Sequence, residues 1–430
     1  MLIFTYHLYG DAYLSTDDFN NLYWAQRQNG VQTIEHLVNP ASSAVRPTGM
    51  AFYWVLFNIF HVNAAPYHWT AWLLHAINTW LVYLVLKRIT GSQAGGVIGA
   101  MLFASQAAFA DIYWNFGSIF ELLSAMGFFV GILWWLKQPR SWTIVLACTV
   151  LFLFSLKAKE MAITLPAIWL LCDLVLQKKP FIKTAGFLLP PAALGIWFGL
   201  RKLGELGSSD PTGLHYMDLQ WITLGRGLGV FFNELFNATL RWQFWSIGFA
   251  GVLLFLVLRK SRGGLFFQTY FLITFLPVIF MINHRELYLS YIPFLGLCGL
   301  ACLLVQALTK FIEPKLGARS ALVGYAVLPA LCWGTYVVQR RDSEERRMWQ
   351  KPMAIDYRAF VSELAALPAP KPNEIIYFDS HPIHFTGELL RNATEVALRR
   401  TDIQVQLVST FPAEARYKLH YEKQRLTQVP

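Results

Sequence analysis

Charge is scarce in this sequence. Only 14% of the 430 residues are Asp, Glu, Lys or Arg, against 55% hydrophobic and 16% aromatic, and so little charge excludes an ordinary water-soluble domain. Acids are scarcer than bases, 26 against 36, for a formal net charge of +10. Such an excess could serve nucleic-acid binding. Here, however, the Lys and Arg residues fall largely in short clusters between apolar runs of roughly 16 to 22 residues, the length that spans a bilayer. The basic balance therefore reports topology, and no nucleic-acid partner is expected. Cysteine is rare too. Cys148, Cys172, Cys298, Cys302 and Cys332 lie in apolar runs with no paired spacing, which supports neither a zinc site nor a disulfide framework and leaves them as small buried hydrophobes. No phosphate-cradling glycine-rich loop and no nucleophile elbow occur.

What is present is a succession of apolar segments. Met1 to Tyr9 is apolar for only about nine residues, less than half a spanning helix, with no basic region or cleavage site before it. It reads as the remnant of a first transmembrane helix that begins upstream. Residues 11–65 form a first exterior loop in which Thr48 to His61, about 14 residues long, suits an interfacial helix. Crossing segments follow at about 66–86, 93–110, 118–136, 141–156, 161–177, 183–200, 243–258, 264–282, 287–308 and 320–338. Between them, Trp221 to Phe236 reads as an amphipathic interfacial helix. The tail, 339–430, turns polar, with a helix to Ala366, a Pro-rich stretch at 368–372 and strands at Glu374–Phe378 and Ile403–Val408. The expected fold is an all-α polytopic membrane protein of about 10–11 transmembrane helices, with its bundle at 66–338 and a small C-terminal α/β exterior domain.

Basic residues in short loops set orientation. Lys87 and Arg88, Lys137 and Arg140, Lys178, Lys179 and Lys183, Arg259, Lys260 and Arg262, and Lys310, Lys315 and Arg319 mark the cytoplasmic side. The opposite face, periplasmic in a bacterium or lumenal in a eukaryote, then receives nearly every other charge cluster. Asp17 and Asp18 come first: two adjacent carboxylates beside hydrocarbon need a cation, a hydrogen-bond network or a chemical task. Either they belong to a solvated loop, with Thr16 or Asp17 capping a helix through Phe19 to Gln28, or one is a general base while its neighbour positions a metal or raises the base's affinity for its proton. Asp111 and Glu121 flank an aromatic stretch and serve either the interfacial belt or the same cavity. Lys159 and Glu160 sit at a crossing's end, on the side that should be poor in Lys; the choice there is between snorkelling and holding a phosphate. His284, Arg285, Glu286 and Tyr288 form a third charged knot, in which Arg285 could clamp a phosphate or merely pair with Glu286. His381 and His384 lack further obvious ligands. Asn237-Ala-Thr239 and Asn392-Ala-Thr394 match glycosylation acceptors but are short.

The order of these motifs is informative: an acidic pair, Arg46-Pro47 before an interfacial helix, Pro66-Tyr67-His68-Trp69 through Leu74-His75-Ala76-Ile77-Asn78, Lys159-Glu160 with Pro166, then Arg285-Glu286-Leu287-Tyr288-Leu289. Over about 11–338 this resembles the GT-C class of integral-membrane glycosyltransferases, especially the protein O-mannosyltransferase-like branch. The resemblance implies transfer of a sugar from a polyprenyl-phosphate donor to an acceptor protein, lipid or glycan, at a periplasmic active site of a bacterial inner membrane. By that resemblance Asp18 or Asp17 is the base and Asp111 a second acid near acceptor or metal. Lys159 and Arg285 hold the donor phosphate with His284 and Tyr288 beside them, and Glu160, Glu286 and Arg46 give support. A divalent metal, Mg or Mn, would be the cofactor if there is one. The competing reading is a transporter or flippase of a lipid-linked or anionic solute, since intramembrane charges also mark transport routes. A catalytically silent scaffold is the third.

Overall fold

A computed structural model describes residues 12–429, apart from 43, 107–108, 110, 138–140, 207–215, 237–238, 282, 284–285, 317–319, 383 and 386, and only some of the side chains within 315–349. The described residues begin with α1 (Thr16–Arg27), α2 (Gly30–Val38), α3 (Pro47–Phe60), α4 (Ala64–Thr90), α5 (Gln93–Ala104) and α6 (Asp111–Trp114). Next come α7 (Ile119–Trp135), α8 (Trp142–Ala158), a 3₁₀ turn at Glu160–Thr164, α9 (Leu165–Leu171), α10 (Phe181–Leu206) and α11 (Trp221–Phe236). α12 (Trp242–Leu258), α13 (Arg262–Ile279), a 3₁₀ turn at Leu287–Ser290, α14 (Phe294–Leu316) and α15 (Ser320–Ala366) complete the helical part. The tail adds β1 (Ile375–Phe378), α16 (Glu388–Leu398), β2 (Gln404–Leu407), β3 (Tyr417–Glu422) and β4 (Arg425–Gln428).

Among the described residues, five helical segments are long and apolar enough to cross a membrane: Ala64–Thr90, Phe116–Trp135, Phe181–Lys202, Arg262–Ile279 and Phe294–Pro314. With the composition, they make this a polytopic integral membrane protein. Three further apolar helices, Gln93–Ala104, Trp142–Ala158 and Trp242–Val257, are shorter. The expected crossing at 161–177 is broken instead into a 3₁₀ turn, α9 and a π turn at Cys172–Leu176. Pro166 near the start of α9 supplies no backbone donor there, which suits a helix beginning afresh. The crossing expected at 287–308 starts later, at Phe294, because 287–290 forms the 3₁₀ turn.

The chain divides into two units. Unit 1 comprises 1–73, 110–120 and 340–430; unit 2 comprises 74–109 and 121–339.

Unit 1 contains the sheet, in the order β2-β1-β3-β4. β1 is parallel to both β2 and β3, while β3 and β4 form an antiparallel hairpin. Lys423 and Gln424 turn that hairpin, both with positive φ, 50° and 64°, as a two-residue turn matched to strand twist requires. α16 makes the crossover between β1 and β2, burying Leu390, Ala393, Val396 and Ala397 at helical spacing. An aromatic core joins α1, α15 and the tail. The Phe19 ring meets Phe385 edge-on at 5.3 Å, Tyr357 stacks on Phe385 at 4.3 Å, and Phe360 lies 5.8 Å from Phe378.

Unit 2 is the helix bundle. Glycines let its helices approach: a Cβ at Gly296 or Gly299 of α14 would run into Phe267 or Phe271 of α13, the small-residue packing usual between helices in lipid. Trp135 and Trp169 stack at 4.7 Å. Helix α11, confirmed over the expected span, packs Phe231 and Phe232 against Phe271 and Phe275.

Candidate functional site

The acidic pair divides at once. Ser15 is the N-cap of α1: its backbone is extended and its Oγ accepts the Asp18 N–H at 3.3 Å, while Asp18 Oδ2 accepts the Ser15 N–H at 2.7 Å. This reciprocal capping box fixes where the helix starts. The cap is thus Ser15, not Thr16 or Asp17. Asp17 points to solvent, and Asp18 is fully buried.

Helix α3 supplies the second partner. Tyr53 Oη donates to Asp18 Oδ1 at 2.6 Å, and Tyr53 is itself wholly buried. Rings clamp it: Phe116 at 4.9 Å, Phe120 at 6.0 Å and Tyr67 at 6.5 Å. α3 fits this closely because residue 49 is glycine; a Cβ there would collide with the Phe120 ring. On the other side Ser15 Oγ donates to Asn115 Oδ1 at 3.1 Å, and the same oxygen accepts the Gly117 N–H at 2.7 Å.

Electrostatics follow from this enclosure. Burial, outweighing the hydrogen bonds from Tyr53 and Ser15, raises the Asp18 carboxyl from its ordinary range to about 6. Burial and the Asp18 charge push the Tyr53 phenol well upward, so it remains the donor. A carboxylate so raised can exchange its proton near neutral pH.

Of the other expected site residues in unit 1, Arg46 precedes Pro47 with a left-handed backbone, φ 46°, and its guanidinium lies 5.5 Å from the Phe120 ring. Asp111 opens α6, and its side chain lies outside the described residues. In unit 2, Lys159 is buried where α8 ends in an extended residue, and its ammonium pairs with the buried Glu121 carboxylate of α7. Tyr288 presents its ring 6.0 Å from the Lys159 Nζ. Glu160 opens the 3₁₀ turn, half-buried, and Glu286 is exposed ahead of Leu287. His284 and Arg285 lie outside the described residues. Unit 1 thus assembles Asp18 with Tyr53, Ser15 and Asn115. Unit 2 assembles Lys159 with Glu121 and Tyr288.

Sequence reasoning missed Tyr53, and its only signal is Gly49 one turn earlier. It placed Glu121 in a loop pattern without giving it a partner. It also passed over a buried polar pair in unit 2, His75 Nδ1 and Tyr291 Oη at 2.7 Å, with Asn78 donating to the Leu122 carbonyl at 2.9 Å one turn further on. Among the described residues no group of three or more His, Cys, Asp or Glu side chains could hold a metal ion. Each Asp18 oxygen accepts one hydrogen bond within unit 1 and keeps a further lone pair. Asn392, buried against Asn20 with its amide donating at 2.8 Å, is closed to glycosylation.

No protein-family profile matches the chain, and no curated protein matches it in sequence. Solved structures do resemble its fold. ArnT from Cupriavidus metallidurans in the apo state is 11% identical, with a TM-score of 0.47 over 90% of this chain and 80% of that one. The archaeal oligosaccharyltransferase AglB from Archaeoglobus fulgidus, in complex with an inhibitory peptide and a dolichol-phosphate, is 10% identical, with a TM-score of 0.49 over 90% of this chain and 60% of that one. ArnT bound to undecaprenyl phosphate is 11% identical, with a TM-score of 0.43 over 84% and 75%.

Proposed function

We propose that this protein is a membrane glycosyltransferase that moves a sugar from a polyprenyl-phosphate donor to an acceptor hydroxyl on the exterior face, with Asp18 as the general base. The observation that carries the reading is the Asp18 carboxylate itself: fully buried, held at fixed geometry by Tyr53 and the Ser15 N–H, and raised to about 6 by burial. A base with affinity near the working pH, anchored on a helix start and backed by packed rings, is what deprotonating an alcohol requires. In the step proposed, the acceptor proton passes to Asp18 as the acceptor oxygen bonds the anomeric carbon. The carbon–oxygen bond to the carrier phosphate breaks, and its electron pair leaves with the phosphate. A buried cation stabilises that leaving charge best in a dry site. The resemblance assigns the carrier phosphate to Lys159 and Arg285, with His284 and Tyr288 as further donors; within unit 2, Glu121 pairs with the Lys159 ammonium. No step is routed through a metal.

The test is transfer from labelled polyprenyl-phosphate sugars by purified protein. Asp18→Asn keeps the size and the capping geometry but cannot take the proton, so turnover falls about 10² to 10⁴-fold, whereas Asp17→Asn stays near wild type. Equal turnover in all three proteins would end the catalytic reading. The buried Glu121–Lys159 pair gives the transport reading its one specific support, since charges among membrane helices also line solute routes. Carrier movement across a vesicle without sugar transfer would favour it.

A further inference from the structure

Unit 1 contains a cleft of about 430 Å³, within the size range of small-molecule sites. Its walls come from three places: the extended residues just ahead of the Ser15 cap, the turn between α3 and α4, and the last turns of α15. Among the described residues that line it five are polar, namely Tyr13, Asn63, His68, Arg358 and Ser362. The acids on the same stretch of α15 are not among the walls. Asp356 accepts a hydrogen bond from Tyr421 Oη at 2.6 Å instead, and Glu363 is exposed. The Arg358 guanidinium, itself exposed, lies 5.3 Å from the Tyr13 ring centroid. Tyr13 is buried and its hydroxyl, pushed up to about 12 mainly by burial, stays neutral.

We infer that this cleft is a binding site for an anionic, hydroxyl-bearing molecule of sugar size, carrying a carboxylate or a phosphate. The lining determines the class. A planar guanidinium offers paired donors to an oxyanion. The imidazole, amide and hydroxyl groups around it suit a polyhydroxylated body. The binding stands independently of the proposed function.

The experiment measures equilibrium binding to the purified full-length protein. The probes are glucuronate, glucose 6-phosphate, glucose and inorganic phosphate, in nanodiscs of phosphatidylcholine with and without phosphatidylglycerol. The two sugar acids bind, glucose binds roughly tenfold more weakly or worse, phosphate alone is weaker than glucose 6-phosphate, and affinity falls as salt is raised. Arg358→Gln loses about tenfold in affinity and Arg358→Lys loses less, with thermal unfolding unchanged in both. Glucose binding as tightly as glucuronate, indifference to Arg358→Gln, or no binding by either sugar acid would each overturn the inference. Binding abolished by phosphatidylglycerol would assign the cleft to a lipid headgroup and overturn the inference. Asp18→Asn retains the binding, so a failure of the catalytic reading shows in turnover alone and a failure of the cleft in affinity alone.

Discussion

At the scale of single residues, Asp18 has two duties. Its carboxylate closes a capping box and receives the Tyr53 hydroxyl, and its burial makes the charged form costly. Because the folded-state value near 6 lies above the unfolded one, the folded protein binds this proton more tightly. The stabilisation is complete below the unfolded value of about 4 and is lost as pH rises through about 6. Asp18→Asn removes that dependence: its unfolding temperature relative to wild type should rise between pH 4 and pH 7, even as transfer is lost, and melts in detergent across that range check it. Transfer by the wild type needs the unprotonated carboxylate, so its rate should climb with pH through about 6. Tyr53→Phe deletes a hydrogen bond that favours the charged form, so the acidic limb should move to higher pH, at a stability cost of about 1–3 kcal/mol. A limb that stays in place would show that the phenol does not tune the base. A helix start was legible near Asp17 and Asp18, but its cap was not, because Thr16 and Asp17 satisfy local rules as well as Ser15 does, and the hydrogen bonds that hold Asp18 between Ser15 and Tyr53 come from the fold.

At the scale of elements, α1 is held by the tail. Glu395 of α16, wholly buried, pairs with both Arg27 of α1 and its own neighbour Arg391, and the two guanidinium groups lie 3.6 and 5.6 Å from the Tyr23 ring centroid. Asn392 reaches Asn20 on the same helix face. Glu395→Gln leaves Arg27 and Arg391 without their shared anion and should cost about 1.5–3 kcal/mol, the scale of a hydrogen bond to a charged group. Calorimetry on the full chain measures it, and an unchanged unfolding temperature would mean that the ring core alone holds α1. None of this pairing could be read from the sequence, where Arg27 and Glu395 are 368 residues apart. Amphipathic spacing gave α11 correctly, since its apolar stripe is local. β3 and β4 escaped notice although Tyr417, Leu419 and Tyr421 alternate inward: Lys418, His420 and the charged turn between the strands made the stretch resemble a polar tail.

At the scale of the whole molecule, the polytopic helical class was written in the composition, and five segments carry the length and apolarity that it demands. The broken crossing at 161–177 was not legible, because hydropathy sees an apolar run and is blind to a 3₁₀ turn, a proline start and a π turn in succession. The proposed orientation comes from loop charges alone. In a background without native cysteines, Gln93→Cys and Lys260→Cys should label only from the cytoplasm. Gln220→Cys and Glu414→Cys should label only from the exterior. Labelling of position 414 from the cytoplasm would remove the exterior assignment of the tail.

The bond between Arg27 and Glu395 also has a consequence in time. Synthesis at about 5–20 residues per second separates these two residues by about 20 to 70 s, and through that interval α1 exists without the partner that clamps it. A nascent chain stalled between the two residues would hold α1 unsecured, so activity built on that helix would report that translation had passed Glu395.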